Sequence, residues 1–307
     1  MKITQDDFYN GQTILVNKPK TWTSFDVVNK MRSDVRHNFQ IPFVKIGHAG
    51  SLDPLASGLL IICIGRSTKN IDQFQGMEKE YTGTMMLGAT TPSYDLETPI
   101  NERYSITDII PQHITEAAKK FVGAVWQYPP NFSAKKVMGE RAYNIARNGG
   151  QADVRPVLVN ISKFEIVSVL LPMVEFKVVC GKGTYIRSLV HDIGKELGCG
   201  AVLASLCRTR IGKYKLKDAS EIKNWLEAVQ PVAPKKRIPV RTAMKKMKER
   251  VLLRSRQAKD EAKERKTLAK EEAKLLSKAK PLAAKSPKAK KSSSKKSSAG
   301  KKGKKKK

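Results

Sequence analysis

The sequence has few of the features that mark secreted, membrane or metal-dependent proteins. It contains only four cysteines, Cys63, Cys180, Cys199 and Cys207, with no C-x-x-C pair and no histidine at metal-ligand spacing. We therefore expect reduced, buried thiols and no metal site. The N-terminus lacks the apolar run of a signal peptide, and the longest apolar run, Leu59 to Ile64, is too short to cross a bilayer. These absences predict a cytoplasmic protein without a membrane partner.

Acidic residues are scarce relative to basic ones. The chain has 59 Lys and Arg against 28 Asp and Glu, a net charge of +31. The excess is uneven, because residues 231–307 hold 30 basic and 6 acidic residues, whereas residues 1–230 hold 29 and 22. No amphipathic stretch carries the exposed Trp and Phe of a membrane-surface helix. A strong positive charge attracts polyanions, above all phosphate backbones, so we expect a nucleic-acid partner.

The apolar pattern predicts an α+β protein. Alternation and short apolar runs predict strands over 12–16, 81–88 and 174–180. Helical spacing predicts a helix capped by Thr23 or Ser24, helices over 114–122 and 142–147, and one capped by Thr184 that ends at Gly198. The polar residues 89–104, with two prolines, predict a loop. Without regular βαβ alternation, we expect a mixed, largely antiparallel sheet flanked by helices.

Composition divides the chain at about residue 230. We expect a catalytic domain over residues 1–230 and a Lys-rich basic tail over residues 231–307. Residues 241–280 are rich in helix-forming Ala, Glu, Lys, Leu and Arg, whereas residues 281–307 have almost nothing to bury. The tail is therefore predicted to be partly helical and then disordered.

The segment of residues 47–58, GHAGSLDPLASG, carries the strongest candidate for chemistry. It places His48 and Asp53 in a loop with three glycines, and Pro54 stiffens the chain after the carboxylate. A carboxylate held in a rigid loop before a buried apolar run is a reasonable nucleophile or base. An Asp before Pro is also a common turn residue, and a lone His is often structural. The local pattern leaves both interpretations open.

The same segment resembles the signature G-H-x-G-[ST]-L-D-P-x-A-[ST]-G-x-L of TruB-type tRNA pseudouridine synthases of the bacterial type, without gaps. Four further segments resemble that family in the same order, over about residues 11–214. They are Asn17-Lys18-Pro19 with Thr23-Ser24, Lys79-Glu80-Tyr81, residues 129–136 (PPNFSAKK) and Lys182-Gly183-Thr184-Tyr185-Ile186-Arg187. The resemblance implies the pseudouridine synthase catalytic fold.

The resemblance implies three catalytic residues. The family nucleophile falls on Asp53, and the aromatic residue that stacks on the target base falls on Tyr81, which we also expect to assist proton transfer. Arg187 is expected to pair with Asp53, because an opposite charge keeps a carboxylate ionised and fixes its geometry. Taken alone, Tyr81 is more typical of a packed aromatic residue and Arg187 of a solvated surface residue.

Four further residues are implied to bind the substrate. His48 falls where the family approaches the flipped uridine, and Leu206 lies where a family leucine contacts the base. Tyr185 belongs to the K-G-T-Y-I-R motif, and Lys18 belongs to the N-terminal K-P block.

The implied reaction isomerises the T-loop uridine of tRNA, uridine-55, to pseudouridine. The N1–C1′ bond breaks, the uracil rotates, and C5 joins C1′, so no cofactor is expected. The target base has to leave its stack, which an already structured loop makes cheaper. The expected partner is the T arm of tRNA, and the expected state is a monomer.

Two features depart from the family pattern. Gly200-Ala201-Val202 stands where many members have Gly-Ala-His, and a Lys-rich tail stands where many carry a β-rich PUA-type RNA-binding domain. We expect the tail to contact the RNA backbone. Two alternatives remain within RNA biology, a guide-RNA-dependent synthase that modifies ribosomal RNA and a chaperone that helps tRNA fold. A histone-like DNA binder would explain the tail alone.

Overall fold

The computed structural model describes residues 4–133, 135–137, 140–147, 150 and 154–229. The predicted basic tail, residues 231–307, lies outside the described residues, so its conformation and the domain division at residue 230 stay predictions. The described helices are α1 (Gln5–Asn10), α2 (Ser24–Phe39), α3 (Ile71–Gly76), α4 (Pro111–Lys120), α5 (Ala142–Arg147) and α6 (Ile186–Glu196).

The strands form one large sheet and two small ones. They are β1 (Gln12–Lys18), β2 (Ile46–His48), β3 (Ala56–Ile64), β4 (Lys79–Leu87), β5 (Ala89–Thr90), β6 (Glu102–Arg103), β7 (Gly123–Gln127), β8 (Lys136–Val137), β9 (Glu140–Arg141), β10 (Val157–Leu170), β11 (Met173–Cys180), β12 (Ala201–Ile211), β13 (Tyr214–Lys215) and β14 (Ser220–Glu221). The large sheet has the order β14-β1-β3-β12-β4-β11-β10-β7, with β13 paired to β12 and β2 to β3. Among the strand pairs of the described residues, β1–β14 and β3–β12 are parallel and the others antiparallel. The prediction of a mixed, largely antiparallel α+β fold is confirmed.

The apolar run that ends at Ile64 is a strand buried on both faces. Leu60 and Ile62 belong to a core that α2 covers, whereas Leu59 and Ile61 belong to a second core that includes Phe74 of α3. The sequence of a strand that is covered on both faces is a continuous apolar run rather than an alternation of apolar and polar residues. The run thus forms an inner strand of the sheet, between β1 and β12, directly after the segment that carries Asp53.

A third core lies beneath α4 and α6 and joins them to β4, β10, β11 and β12. In α6 the apolar face that the sequence predicts is buried, and Gly198 just after the helix takes the left-handed backbone (φ +70°) that suits a helix end. Because α6 begins beside the centre of the sheet, Arg187 in its first turn points toward the segment between β2 and β3.

Several predicted elements are confirmed and some details are wrong. Thr23 caps α2, and its hydroxyl accepts a hydrogen bond from the backbone N–H of Asp26. Thr184 does not cap α6; Tyr185 occupies the N-cap position, and the Thr184 hydroxyl donates to the Gly181 carbonyl instead. The loop predicted over residues 89–104 contains the short pair β5–β6.

Two remaining expectations concern burial and membranes. Cys63, Cys180 and Cys199 are buried as expected, whereas Cys207 is only half-buried. Across the described residues, no helix is both long enough and apolar enough to cross a membrane.

Candidate active site

The segment between β2 and β3, residues 49–55, is held in place by the N-terminal block around Ser24. The backbone N–H of Leu52 donates to the Ser24 hydroxyl oxygen (2.8 Å), and that hydroxyl lies 3.3 Å from the Leu52 carbonyl, to which it donates. The Thr21 N–H donates to the Pro54 carbonyl (2.8 Å). The residues that flank Asp53 on both sides are therefore tied to the chain just before α2.

Lys18 strengthens the same attachment. Its side chain is fully buried, and its ammonium donates to the carbonyls of Pro19 (2.9 Å) and Trp22 (2.5 Å) and lies 3.5 Å from the Pro54 carbonyl. Burial lowers the pKa of Lys18 to about 8, which the charge of Asp53 partly opposes. The observed contacts are with the protein, so substrate binding by Lys18 stays a prediction.

Arg208 of β12 holds the other side of the segment. The guanidinium, only 1% exposed, donates to the carbonyls of Leu59 (2.7 Å), Gly50 (3.1 Å) and Ser51 (3.3 Å). The backbone of β12 also passes so close to Gly58 (φ +105°) that a Cβ there would lie 2.5 Å from the Arg208 carbonyl oxygen. Gly58 is therefore required by strand packing as well as by its backbone angle.

Asp53 and Arg187, which the sequence predicts to pair, form a bidentate ion pair. The guanidinium Nε donates to Oδ2 of Asp53 (2.9 Å), and Nη2 donates to Oδ1 (3.0 Å). The Arg187 side chain is 5% exposed, whereas the Asp53 side chain is 41% exposed. The fork fixes the carboxylate in one orientation and leaves part of it open to a ligand.

Arg187 is also held by contacts other than its pair with Asp53. Its guanidinium donates to the carbonyls of Ser93 (3.2 Å) and Phe132 (3.1 Å), and its Nε lies 3.6 Å from a carboxylate oxygen of Asp95. Asp95 is 3% exposed and accepts a hydrogen bond from the Glu97 N–H. A second carboxylate thus balances the arginine and leaves it oriented toward Asp53.

The Asp53 carboxylate opens into a cavity of about 380 Å³. Five of the predicted site residues line it, namely Asp53, Tyr81, Tyr185, Arg187 and Leu206. This size falls within the roughly 300–1,000 Å³ common for small-ligand pockets. Lys79, Lys182 and Arg208 also line the cavity, and Asp53 is the one carboxylate residue among its described lining residues. The cavity is therefore suited to a planar group attached to a negatively charged backbone.

Tyr81 and Leu206 come from neighbouring strands and reach the cavity together. Tyr81 lies opposite Arg208 in the β4–β12 pairing, and Leu206 lies opposite Ala56 in the β12–β3 pairing. Both side chains are over nine-tenths buried. Burial raises the pKa of the Tyr81 phenol, while the charge of Arg208 opposes that shift, so the phenol stays protonated at neutral pH.

Tyr185 is positioned through its backbone by β7. The side-chain oxygen of Gln127 accepts a hydrogen bond from the Tyr185 N–H (2.8 Å), and the Gln127 amide nitrogen donates to the Tyr185 carbonyl (3.0 Å). Burial raises the pKa of the Tyr185 phenol. These two hydrogen bonds to the buried side chain of Gln127 fix the start of α6. They thereby fix the position of Arg187, two residues after Tyr185.

His48 is near the site without lining the cavity. It ends β2, opposite Ile62, and its Nδ1 is buried without a hydrogen-bond partner among the described residues. Burial, followed by the charge of Arg208, lowers the pKa of His48, so the ring is neutral at neutral pH. The predicted contact between His48 and the substrate stays a prediction.

The sequence analysis did not identify Asp95, Gln127 or Arg208. Asp95 lies in the polar loop after β5, and the other two act on backbone groups that are distant in sequence, so no local pattern marks them. Within the described part of the chain, no group of His, Cys, Asp and Glu side chains is arranged to hold a metal ion.

The amino-acid sequence matches two family models. A model described as "TruB family pseudouridylate synthase (N terminal domain)" matches residues 36–186, and one described as "tRNA pseudouridylate synthase B C-terminal domain" matches residues 187–252. The chain belongs to the TruB family. Pseudouridylate synthases are isomerases, and the segment that carries Asp53 lies within the first matched region.

Individual TruB proteins agree with this assignment. The chain is 48% identical over 224 residues to a protein of Parabacteroides distasonis named tRNA pseudouridine synthase B, a match that covers 72% of this chain and 95% of the relative. A protein of Flavobacterium johnsoniae with the same name is 46% identical over 229 residues, 74% of this chain and 100% of the relative.

A solved structure resembles the fold of this chain over most of its length. A chain from the crystal structure of a Cbf5-Nop10-Gar1 complex superposes with a TM-score of 0.55 at 26% identity, over 72% of this chain and 55% of that chain. This chain thus spans about half the length of that solved chain.

Proposed function

We propose that this chain converts the T-loop uridine of tRNA, uridine-55, to pseudouridine with Asp53 as the nucleophile. The observation that carries the proposal is the Asp53 carboxylate, which Arg187 fixes by two hydrogen bonds and leaves partly open to a cavity. Tyr81 and Leu206 supply an aromatic and an apolar surface beside that carboxylate. The shared name of the curated relatives supports tRNA as the substrate.

The reaction needs no redox step and no added group. The N1–C1′ bond of the nucleotide breaks and a C5–C1′ bond forms, while C5 loses a proton and N1 gains one, so atoms and electrons balance. A nucleophilic carboxylate divides this exchange into two easier steps. The flipped base needs a face to stack on, which Tyr81 provides, and the protonated phenol of Tyr81 is suited to assist the proton transfer.

The remaining predicted residues have supporting roles in this proposal. Tyr185 and Leu206 hold the flipped base, and His48 approaches the nucleotide from the end of β2 as a neutral ring. Lys18 acts through the Pro54 carbonyl by keeping the Asp53 segment in position. Arg187 keeps the nucleophile oriented.

A guide-RNA-dependent synthase is the competing function. The similarity to a chain of the Cbf5-Nop10-Gar1 structure is compatible with this function. That similarity is lower, however, with 26% identity and 55% of that chain covered. The tRNA pseudouridine synthase B relatives match at 48% and 46% identity over at least 95% of their length. We therefore propose an enzyme that acts on tRNA without a guide.

The test uses an unmodified tRNA transcript, the purified full-length chain and no other RNA. We expect one pseudouridine per transcript, located at position 55 by chemical labelling and primer extension. A matched transcript with cytidine at position 55 should gain none. Pseudouridine at another position, or none until a guide RNA is added, would contradict the proposal.

We further propose that the basic residues 231–307 contact the RNA backbone without sequence preference. They carry 30 basic and 6 acidic residues, and such binding weakens steeply with salt. Removal of these residues should weaken tRNA binding mainly at low salt, as measured by filter binding across a salt series. Unchanged binding at low salt would refute this role. The monomeric state and the cytoplasmic location stay predictions.

A further inference from the structure

A second cavity lies on a different part of the molecule. It is a groove of about 650 Å³ between the C-terminal half of α2, residues 41–45 that lead into β2, the start of β2 and the start of α3. Its inner wall is apolar and includes the buried residues Ile41, Val44 and Ile46. It shares no lining residue with the Asp53 cavity, and we call it the α2 groove.

The α2 groove is positively charged. Arg32, Arg36 and Lys45 line it together with His37, and its described lining residues include no Asp or Glu. Across the described residues, no carboxylate lies within ion-pair distance of these three cations. The nearby Asp34 is engaged elsewhere, since it accepts from Lys30 and from the Trp225 indole. The charges are therefore available to an anionic partner.

Aromatic rings accompany these cations. Phe43 is 72% exposed in the segment that lines the α2 groove, and Phe25 on α2 is 58% exposed. The Arg32 guanidinium lies 5.8 Å from the centre of the Phe25 ring, and its Nη2 donates to the Ile46 carbonyl. The backbone at Phe43 is also fixed, because the Tyr9 hydroxyl donates to its carbonyl. Exposed rings between cations are the surface on which unpaired bases stack while phosphates bind nearby.

The α2 groove is close enough to the Asp53 cavity to serve the same ligand. Gly47 lines the α2 groove and His48 follows it, so β2 leads from the groove into the segment that carries Asp53. Lys45 and Asp53 are eight positions apart in the chain, which limits their Cα–Cα distance to about 29 Å even for an extended chain. An RNA whose target base occupies the Asp53 cavity can reach this groove.

We propose that the α2 groove binds an unpaired segment of the substrate RNA, with a base on Phe43 and backbone phosphates on Arg36 and Lys45. The proposal rests on the proposed function, because it takes the ligand of the Asp53 cavity to be RNA. The α2 groove would add affinity for the substrate without a part in the chemical step.

The experiment compares Phe43→Ala and the double variant Arg36→Gln/Lys45→Gln with the wild-type full chain. A matched control, Lys119→Gln/Lys217→Gln, removes two exposed charges that line none of the cavities described above. We expect Phe43→Ala to weaken tRNA binding about tenfold, as loss of a stacking surface does. The double variant should lower the slope of log K against log salt by about 2 relative to wild type, one for each lost phosphate contact.

The maximal rate at saturating tRNA should be unchanged in both groove variants. Binding and salt slopes equal to those of the control would overturn the proposal and leave the α2 groove to an acidic protein surface. A lower maximal rate with unchanged binding would also overturn it. Failure of the proposed function is distinguishable, since the wild-type chain would then form no pseudouridine in the same assay.

Discussion

Replacement of Arg187 by methionine tests how the active site is held together. Methionine keeps much of the apolar volume but removes the charge that lies between Asp53 and Asp95. Asp95 would stay buried without its cation, and the carbonyls of Ser93 and Phe132 would each lose a donor. Removal of one partner of a buried ion pair costs about 3–5 kcal/mol. Because Asp53 is 41% exposed and water can replace its lost bonds, we expect a loss near the lower limit, about 3 kcal/mol.

The assay is urea unfolding of the full-length chain, with Asp95→Asn as the second substitution of a double-mutant cycle. If the cost comes from the buried charge of Asp95, the double variant should recover a large part of the stability that Arg187→Met loses. Arg187→Lys keeps the positive charge but cannot form the two parallel hydrogen bonds to Asp53. Its free energy of unfolding should exceed that of Arg187→Met, yet it should remain poorly active. A loss below about 1 kcal/mol, or fully additive losses, would refute the argument.

Three further predictions concern neighbouring groups. The Arg208→Lys variant should fold and bind tRNA, but its maximal rate of pseudouridine formation should fall at least tenfold. The reason is that an ammonium cannot donate to the carbonyls of Leu59, Gly50 and Ser51 with the planar geometry of a guanidinium. An unchanged rate would contradict this prediction. Tyr81→Phe should retain tRNA binding and lose most of the rate in single-turnover assays, whereas a fully active variant would exclude proton transfer by its hydroxyl. Burial raises the pKa of Asp192 to about 6, above its ordinary 3.8, so Asp192→Asn should stabilise the chain by on the order of 2 kcal/mol above pH 6, and the gain should vanish as the pH falls to about 3.8. Urea titrations at several pH values measure that gain, and a gain independent of pH would contradict the assignment.

Much of the fold follows from patterns within single segments. The alternation in β11, the run in β3 and the cap at Thr23 each report a local burial pattern or a local hydrogen bond. The long strands β10 and β12 were not predicted, although they complete the sheet. Their pairing is interrupted by irregular register, for β10 near Ile161 and Ile166 and for β12 near Leu203 and Arg208, so strict alternation does not run through them.

The site residues likewise divide into those that the sequence identified and those that depend on contacts between distant segments. The resemblance to TruB sequences identified the segment of Asp53 and the motif of Arg187, and the structure places both in contact. Asp95 and Arg208 could not be predicted, because their roles depend on the parallel pairing of β12 with β3 and on a loop that folds back onto α6. Gly58 is one of the three glycines in the segment of Asp53, and the reason for it, the close backbone of Arg208 together with its own positive φ, depends on the pairing of distant strands.

Pseudouridine formation by Asp53→Asn tests the central claim most directly. Asparagine keeps the shape of the side chain and can still accept from Arg187, but its amide is a poor nucleophile. Wild type and variant are compared for binding of an unmodified tRNA transcript and for pseudouridine at position 55, with no guide RNA. We predict that the variant binds tRNA with affinity close to wild type and forms no product. Product formation by a folded Asp53→Asn variant at a rate near that of wild type would contradict it.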